Sequence, residues 1–299
     1  MALDVHLISD KLTARVSAFG AELVGLMHRD HGQLLWHGDA RWWGRSSPVL
    51  FPVVGRCAND RIRVGTATYP MPLHGFAHST EFAVVERAPD RCLLRLGDTP
   101  ATRQHYPFAF ELDLAYRLDG ESLNVEAIVR NPGGSVLPAS FGFHPGFRWP
   151  LAPDLAKDAH VLVFDADDRL DVFSARDGLI LPKSCPVELR DAVLPLSECL
   201  FDLGAKVLIS PRSRNIRFAA PGAPFAIDVG FRNLPSLGLW MKPGAGFLCI
   251  EPWAGHADPA GFDGDIFDKP GIVAIASGAE ASFAISVAIR SGKTTAARQ

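Results

Sequence analysis

An all-β fold is the reading that three observations impose. Apolar residues recur at every second position in short runs, and no run of helical period is long enough for an amphipathic helix. The 23 prolines and 27 glycines are scattered through the 299 residues as turn punctuation instead of gathering in one linker. Successive strand side chains point to opposite faces, so period two marks a half-buried strand.

The elements follow in order. "LTARVSAFGAELVGLMH", "RIRVGTATYPM" and "RCLLRLG" read as short strands between Gly, Pro, Asn or Asp punctuation. The clearest pattern is "FAFELDLAYRLDGESLNVEAIVRN", where Phe110, Leu112, Leu114, Tyr116 and Leu118 alternate with mostly polar neighbours. Asp119-Gly120 then signals a turn, and Leu123, Val125, Ala127 and Val129 continue the alternation, which predicts a hairpin. "KVLISP", "NIRFAA", "FAIDVGF", "FLCIEPW" and "ASFAISVAIR" supply the later strands. With no low-complexity block or charge run to mark a boundary, residues 1–299 are expected to form a single domain, frayed over 291–299.

Bulk properties narrow the function. Apolar residues make up 47% and charged residues 21%, enough to build a core and too little charge for disorder. A net charge of −3 advertises neither a nucleic-acid backbone nor an anionic membrane as partner. The opening stretch, broken by Asp4 and Asp10, lacks the shape of a secretory signal, and no apolar run reaches membrane-spanning length. Five cysteines, odd in number and never in a C-x-x-C pair, point to reduced thiols and a cytoplasmic location.

Four stretches depart from plain strand-and-turn text: "FPVVGRCANDRI", "PLHGFAHS", "FGFHPGFRWP" and "CIEPWAGHAD". Each sets an ionisable residue (Arg56, His74, His144 or Glu251) among aromatic and apolar residues bracketed by Gly or Pro. A buried titratable group must be paired and its pKa shifts, so each is either a satisfied core residue or part of a site. Alternation places Phe141, Phe143 and Pro145 on the face opposite His144. One carboxylate and two histidines in apolar frames are the means of general acid–base catalysis. Trp240, Trp253, Phe76 and Phe143 offer flat surfaces for the C–H face of a sugar, and Arg56 offers donors to hydroxyls.

Competing chemistry lacks its markers. His74 and His78 have H-x-x-x-H spacing, yet Pro72 and Gly75 argue against the helix that would bring both to one zinc ion. "DPAGFDGDIFD" is carboxylate-rich without the calcium-loop pattern and reads as a solvated loop at the edge of a site. No G-x-S-x-G elbow, Walker loop or G-x-G-x-x-G is present.

In this order "FPVVGR", "YPMPLHGFAH", "FGFHPGF" and "CIEPWAG" resemble the aldose 1-epimerase (mutarotase) family, most closely its bacterial branch. The resemblance implies a galactose-mutarotase-like β-supersandwich of mostly antiparallel strands. It also implies the interconversion of the α and β anomers of a hexose without metal or cofactor. By the same resemblance Glu251 is the base that takes the proton from the anomeric hydroxyl and His144 the acid that protonates the ring oxygen. His74 is the second histidine, holding that oxygen or its neighbouring hydroxyl. The family's hydroxyl-binding aspartate corresponds to Asp202 or Asp191. In the branch that acts on hexose 6-phosphates "HGF" continues to "HGFAR"; here His78 takes the arginine's place, so a free hexose is the expected substrate. A non-catalytic sugar-binding or regulatory protein on the same fold, and a hexose-6-phosphate epimerase, are the alternatives. Monomer and dimer both stay open.

Overall fold

A computed structural model describes residues 3–167 and 169–292. Strand pairing builds on the alternation, and every strand-to-strand ladder among the described residues is antiparallel. Two sheets dominate. The nine-stranded one runs in the order Val193–Pro195, Val161–Phe164, Asn215–Ala219, Phe225–Arg232, Glu280–Ser291, Ser122–Arg130, Glu111–Asp119, Arg91–Gly97, Ala83–Arg87. The eight-stranded one runs Leu179–Glu188, Arg169–Arg176, Lys206–Ile209, Ser236–Trp240, Phe247–Ala254, Phe141–Phe143, Val49–Leu50, with Gly146–Arg148 also paired to Phe247–Ala254. Among the described residues the helical segments are 3-10 turns of three or four residues, as the missing helical periodicity requires.

The predicted hairpin forms in the expected register, with Asp119 opposite Ser122 across the Gly120 turn. Its one break in polarity, the buried Asp113, is satisfied by Arg95 at 2.6 Å and Arg130 at 2.6 Å. Elsewhere the structure adds a hairpin that the strand pattern above does not contain: Arg169–Arg176 and Leu179–Glu188, turned at Asp177-Gly178. The expected fraying does not include Ser291, which pairs with Phe225, or Gly292, whose N–H donates to Pro224 O at 3.0 Å. The stretch from 293 lies outside the described residues.

The main core lies between the two large sheets. Phe141 of the eight-stranded sheet stacks on Phe283 of the nine-stranded one at 5.1 Å, and one apolar cluster draws residues from Val5 to Ile289. Phe141, Phe143, Leu237, Leu239, Leu248 and Ile250 therefore face inward. Their neighbours Gly142, His144, Gly238, Glu251 and Trp253 face the other side of the sheet, where a second, smaller apolar cluster gathers Leu50, Val54, Ile180, Val207, Trp253 and Ala257. No helix among the described residues is long and apolar enough to cross a membrane.

Candidate active site

The outer face of the eight-stranded sheet is the floor of a cleft of about 710 Å³, within the size range of small-molecule sites. Sheet register decides what stands there. Phe141 pairs with Ala254, Gly142 with Trp253 and Gly146 with Cys249. The same register carried through the intervening residues sets His144 directly opposite Glu251. The backbone keeps that register across the break, where Ile250 N donates to Pro145 O at 3.2 Å. Cross-strand neighbours share a face, so the imidazole and carboxyl meet, with His144 Nε2 3.2 Å from Glu251 Oε2.

Both groups are buried, at 6% and 2% exposure, which decides their resting charge. Desolvation pushes the Glu251 carboxyl well above the ordinary carboxylate range. Desolvation, reinforced by neighbouring His74, pushes the His144 imidazole well below its ordinary range. The uncharged pair, carboxylic acid and neutral imidazole, is therefore the favoured resting form. It holds as many protons as the ion pair of carboxylate and imidazolium, and the two differ by one transfer across the 3.2 Å contact. The His144 ring is stacked on Trp43 at 4.8 Å and edged by His74 at 5.5 Å and Trp240 at 5.8 Å. Its buried Nδ1 makes no hydrogen bond to another described residue, so packing and Glu251 fix the ring.

His74 comes from a loop in which it adopts the left-handed conformation, φ +65°, uncommon for a residue with a side chain. Two hydrogen bonds hold it there: its N–H donates to Gly55 O at 2.8 Å, and Gly55 N–H donates to its Nδ1 at 3.1 Å. Next to it Gly75 (φ +75°) is pressed so close to the Phe51 carbonyl that a Cβ would lie 2.2 Å from its oxygen. Because Nδ1 accepts, the neutral ring carries its proton on Nε2. Burial lowers the His74 pKa to about 3, so near neutral pH this imidazole is an uncharged donor.

The aromatic surfaces fall where the alternation leads. Trp240 and Trp253 line the cleft, and Trp253 lies flat over two glycines of the adjoining strands. A Cβ on Gly142 would stand 2.5 Å from Trp253 Cδ1, and one on Gly238 2.3 Å from Cζ2 and Cη2. Phe76 and Phe143, offered above as further surfaces, are buried in the main core and are not among the cleft residues.

The sequence-predicted set is brought together only in part. His74, His78, His144, Trp240, Glu251 and Trp253 all line the cleft. Arg56 does not: its N–H donates to Gly178 O at 3.3 Å, behind the hairpin tip, and its side chain is paired with Asp60 at 3.1 Å. Asp202 and Asp191 stand exposed on turns outside the cleft lining. The carboxylates that do line it are Glu251 and Asp177, the latter carried to the rim by its hairpin turn. Asp258 lines a separate small cavity and, contrary to a solvated reading, is buried against Lys269. Three charged or aromatic lining residues lie outside the sequence-predicted set: Asp177, Trp43 and Arg45. The Asp-Gly pair at 177–178 between apolar runs is a hairpin signal that finds the first; nothing local in "RWWGRSSP" signals the other two. Cys249 shares the face of Glu251, and its Sγ, a His144 ring nitrogen and a Glu251 oxygen lie within 4.8 Å of one another. Burial drives that thiol pKa far up, so a metal would have to displace protons from both thiol and carboxyl.

Residues 4–191 match the family model described as aldose 1-epimerase. The chain belongs to the aldose 1-epimerase family. The match takes in His74 and His144 and stops before Glu251, but likeness over the whole length covers the rest. Protein LacX (plasmid) of Lactococcus lactis subsp. lactis is 25% identical over 91% of this chain and 95% of its own. A galactose mutarotase related enzyme from Lactobacillus acidophilus superposes with a TM-score of 0.91 at 27% identity, covering 98% of this chain and 99% of the other. A galactose mutarotase-like protein from Lactobacillus casei ATCC 334 gives 0.89 at 27%, covering 96% and 100%. The fold is thus the galactose-mutarotase-like sandwich that the sequence motifs implied for this family.

Proposed function

We propose that the protein is an aldose 1-epimerase that interconverts hexose anomers by acid–base ring opening. The observation that carries this reading is the buried His144–Glu251 pair on the cleft floor, 3.2 Å apart and set face to face by sheet register. With a cyclic sugar bound, the pair acts from its ion-pair form. Glu251 takes the proton of the O1 hydroxyl while His144 gives one to the ring oxygen. The C1–O5 bond breaks, the C1–O1 bond becomes a carbonyl, and the open-chain aldehyde lies beside a carboxylic acid and a neutral imidazole. Those are the protonation states that burial favours. Rotation about C1–C2 and the reverse transfers give the other anomer and restore the ion pair, so the cycle needs no net proton from solvent.

His74, neutral with its proton on Nε2, serves as a hydrogen-bond donor to the ring oxygen or an adjacent hydroxyl. Trp43, Trp240 and Trp253 receive the sugar's C–H face, and Asp177, in place of Asp202, accepts from sugar hydroxyls at the rim. Each proton transfer of this kind contributes about 10²–10⁴-fold, enough for a reaction that already proceeds in water. A protein that only binds sugar gains nothing from burying an ionisable pair, since desolvation costs stability. We take residues 1–299 as one folding unit, supported by the continuous core from Val5 to Ile289, and the cytoplasm as its location, supported by five free cysteines.

The test is a panel of anomerically pure aldoses, followed by polarimetry and by saturation-exchange NMR. Acceleration of mutarotation for at least one free hexose is expected. Sugars that bind in the cleft without any acceleration would establish the binding-protein reading instead.

A further inference from the structure

Histidine at position 78, where an arginine stands in the phosphate-using branch, does not leave the cleft without a cation. Arg45, the one arginine or lysine among the described cleft residues, reaches the same place from a different segment. Its Nη1 donates to His78 O at 2.9 Å and its Nη2 lies 3.2 Å from His78 Nδ1. Arginine has no lone pair to accept with, so Nδ1 is the acceptor and His78 Nε2–H donates to Leu73 O at 3.3 Å. His78 is therefore neutral, and Arg45 holds the only permanent positive charge among the described lining residues.

That charge is already matched. Arg45 Nη1 lies 3.1 Å from Glu22 Oε2, and Glu22 is 4% exposed. The other carboxylate oxygen takes Ser46 N–H at 2.7 Å and Ser47 N–H at 3.1 Å. Glu22 cannot swing away, because its turn is tied at both ends: Tyr116 OH donates to Ala21 O at 2.6 Å, and Gly20 N–H donates to Thr80 O at 2.8 Å, close to His78 in the chain. An anionic sugar approaching Arg45 meets a guanidinium neutralised at contact distance, in a cleft whose rim also carries the acidic residue Asp177.

We propose that Glu22 is a specificity-determining residue: by neutralising Arg45 it admits uncharged hexoses and excludes anionic ones, leaving the remaining N–H groups of Arg45 for hydroxyls. The inference rests on the sugar-epimerase reading and identifies its substrate class. Glu22 touches no substrate; it acts through Arg45.

The experiment compares wild type, Glu22→Gln, and the double variant Glu22→Gln/Arg45→Gln. In Glu22→Gln the new amide oxygen still accepts from Ser46 and Ser47, while the negative charge is gone. Two quantities are read: kcat/KM for glucose against glucose 6-phosphate and glucuronate, and the affinity for inorganic phosphate by calorimetry. Glu22→Gln should shift the ratio toward the anionic sugars and tighten phosphate by about tenfold, the size of one freed charge-assisted hydrogen bond. The double variant should lose that gain. An unchanged ratio in Glu22→Gln, or the same gain in the double variant, overturns the proposal. Should Glu22→Gln fail to fold, Arg45→Gln decides: it leaves the Glu22 carboxylate unmatched and must reject anions more strongly than wild type, and better use of anions by it refutes the idea. Phosphate calorimetry requires no turnover, so charge selection and epimerase activity can fail separately.

Discussion

Replacing Glu251 by glutamine separates chemistry from packing at the cleft floor. The amide has the carboxyl's shape and is neutral, as the buried carboxyl is at rest, so no unpaired charge is created. At most one neutral hydrogen bond to His144 Nε2 is altered, worth about 0.5–1.5 kcal/mol. What is lost is the proton acceptor, about 10²–10⁴ in kcat/KM, or about 3–5 kcal/mol of transition-state stabilisation. The variant's stability relative to wild type should moreover depend on pH. The Glu251 pKa is higher folded than unfolded, so its favourable contribution is complete below the unfolded value of about 4.3 and declines as pH rises toward the folded one. Glutamine has no such loss, so the variant's stability relative to wild type should be greater at about pH 7 than at about pH 4. Urea unfolding at the two pH values and saturation-exchange NMR on the best hexose measure both arms. Turnover at the wild-type rate per folded molecule would refute Glu251 as the base, and a large loss of stability at the higher pH would refute its neutral resting state.

His144→Gln should lower kcat by at least about a hundredfold while sugar binding survives, measured by progress curves and calorimetry; early melting with normal turnover per folded molecule would return His144 to a packing role. His74 has a folded pKa of about 3, below its unfolded value, so it contributes stability above about pH 6.5 that is lost as pH falls toward 3. His74→Gln should flatten the acid limb by up to about 1.4 kcal/mol per pH unit in urea titrations between those limits. Gly238→Ala should lift Trp253 off the sheet, since the added Cβ would lie 2.3 Å from the ring. The expected cost is about 1–3 kcal/mol, with KM for the sugar raised more than kcat is lowered; an unchanged near-UV circular dichroism spectrum would contradict it.

Most of the fold was readable because alternation is a local property, and every segment read as a strand is one. The face of His144 was readable for the same reason: Phe141 and Phe143 take the core side and leave the imidazole outside. Its partner was not readable by alternation, since which residue stands opposite depends on pairing between distant segments; only the resemblance joined them. Position 78 shows the opposite failure. Reading the charge at one place in a motif missed Arg45, which delivers a guanidinium to that place through space, and Glu22, which cancels it. Arg56 and Asp202 have the right residue type near the right motifs, but Arg56 pairs with Asp60 and Asp202 stands exposed on a turn, both outside the cleft lining. Asp177 sits on a hairpin whose apolar alternation is interrupted by exposed Lys183 and Cys185, which hid the strand and with it the turn.

Setting the His144–Glu251 distance by backbone register, and not by side-chain neighbours, divides the molecule into parts that can vary independently. The pair is as durable as the ladder linking Phe141–Phe143 and Gly146–Arg148 to Phe247–Ala254. The walls of the cleft come from elsewhere: the segment of Trp43 and Arg45, the loop of His74 and His78, and the hairpin tip at Asp177. Insertions and substitutions in those walls would reshape the proposed sugar site while His144 and Glu251 stay in place. A single-residue insertion between Phe247 and Glu251, however conservative in composition, would turn Glu251 toward the core and should abolish any activity that depends on the pair, whatever the sugar.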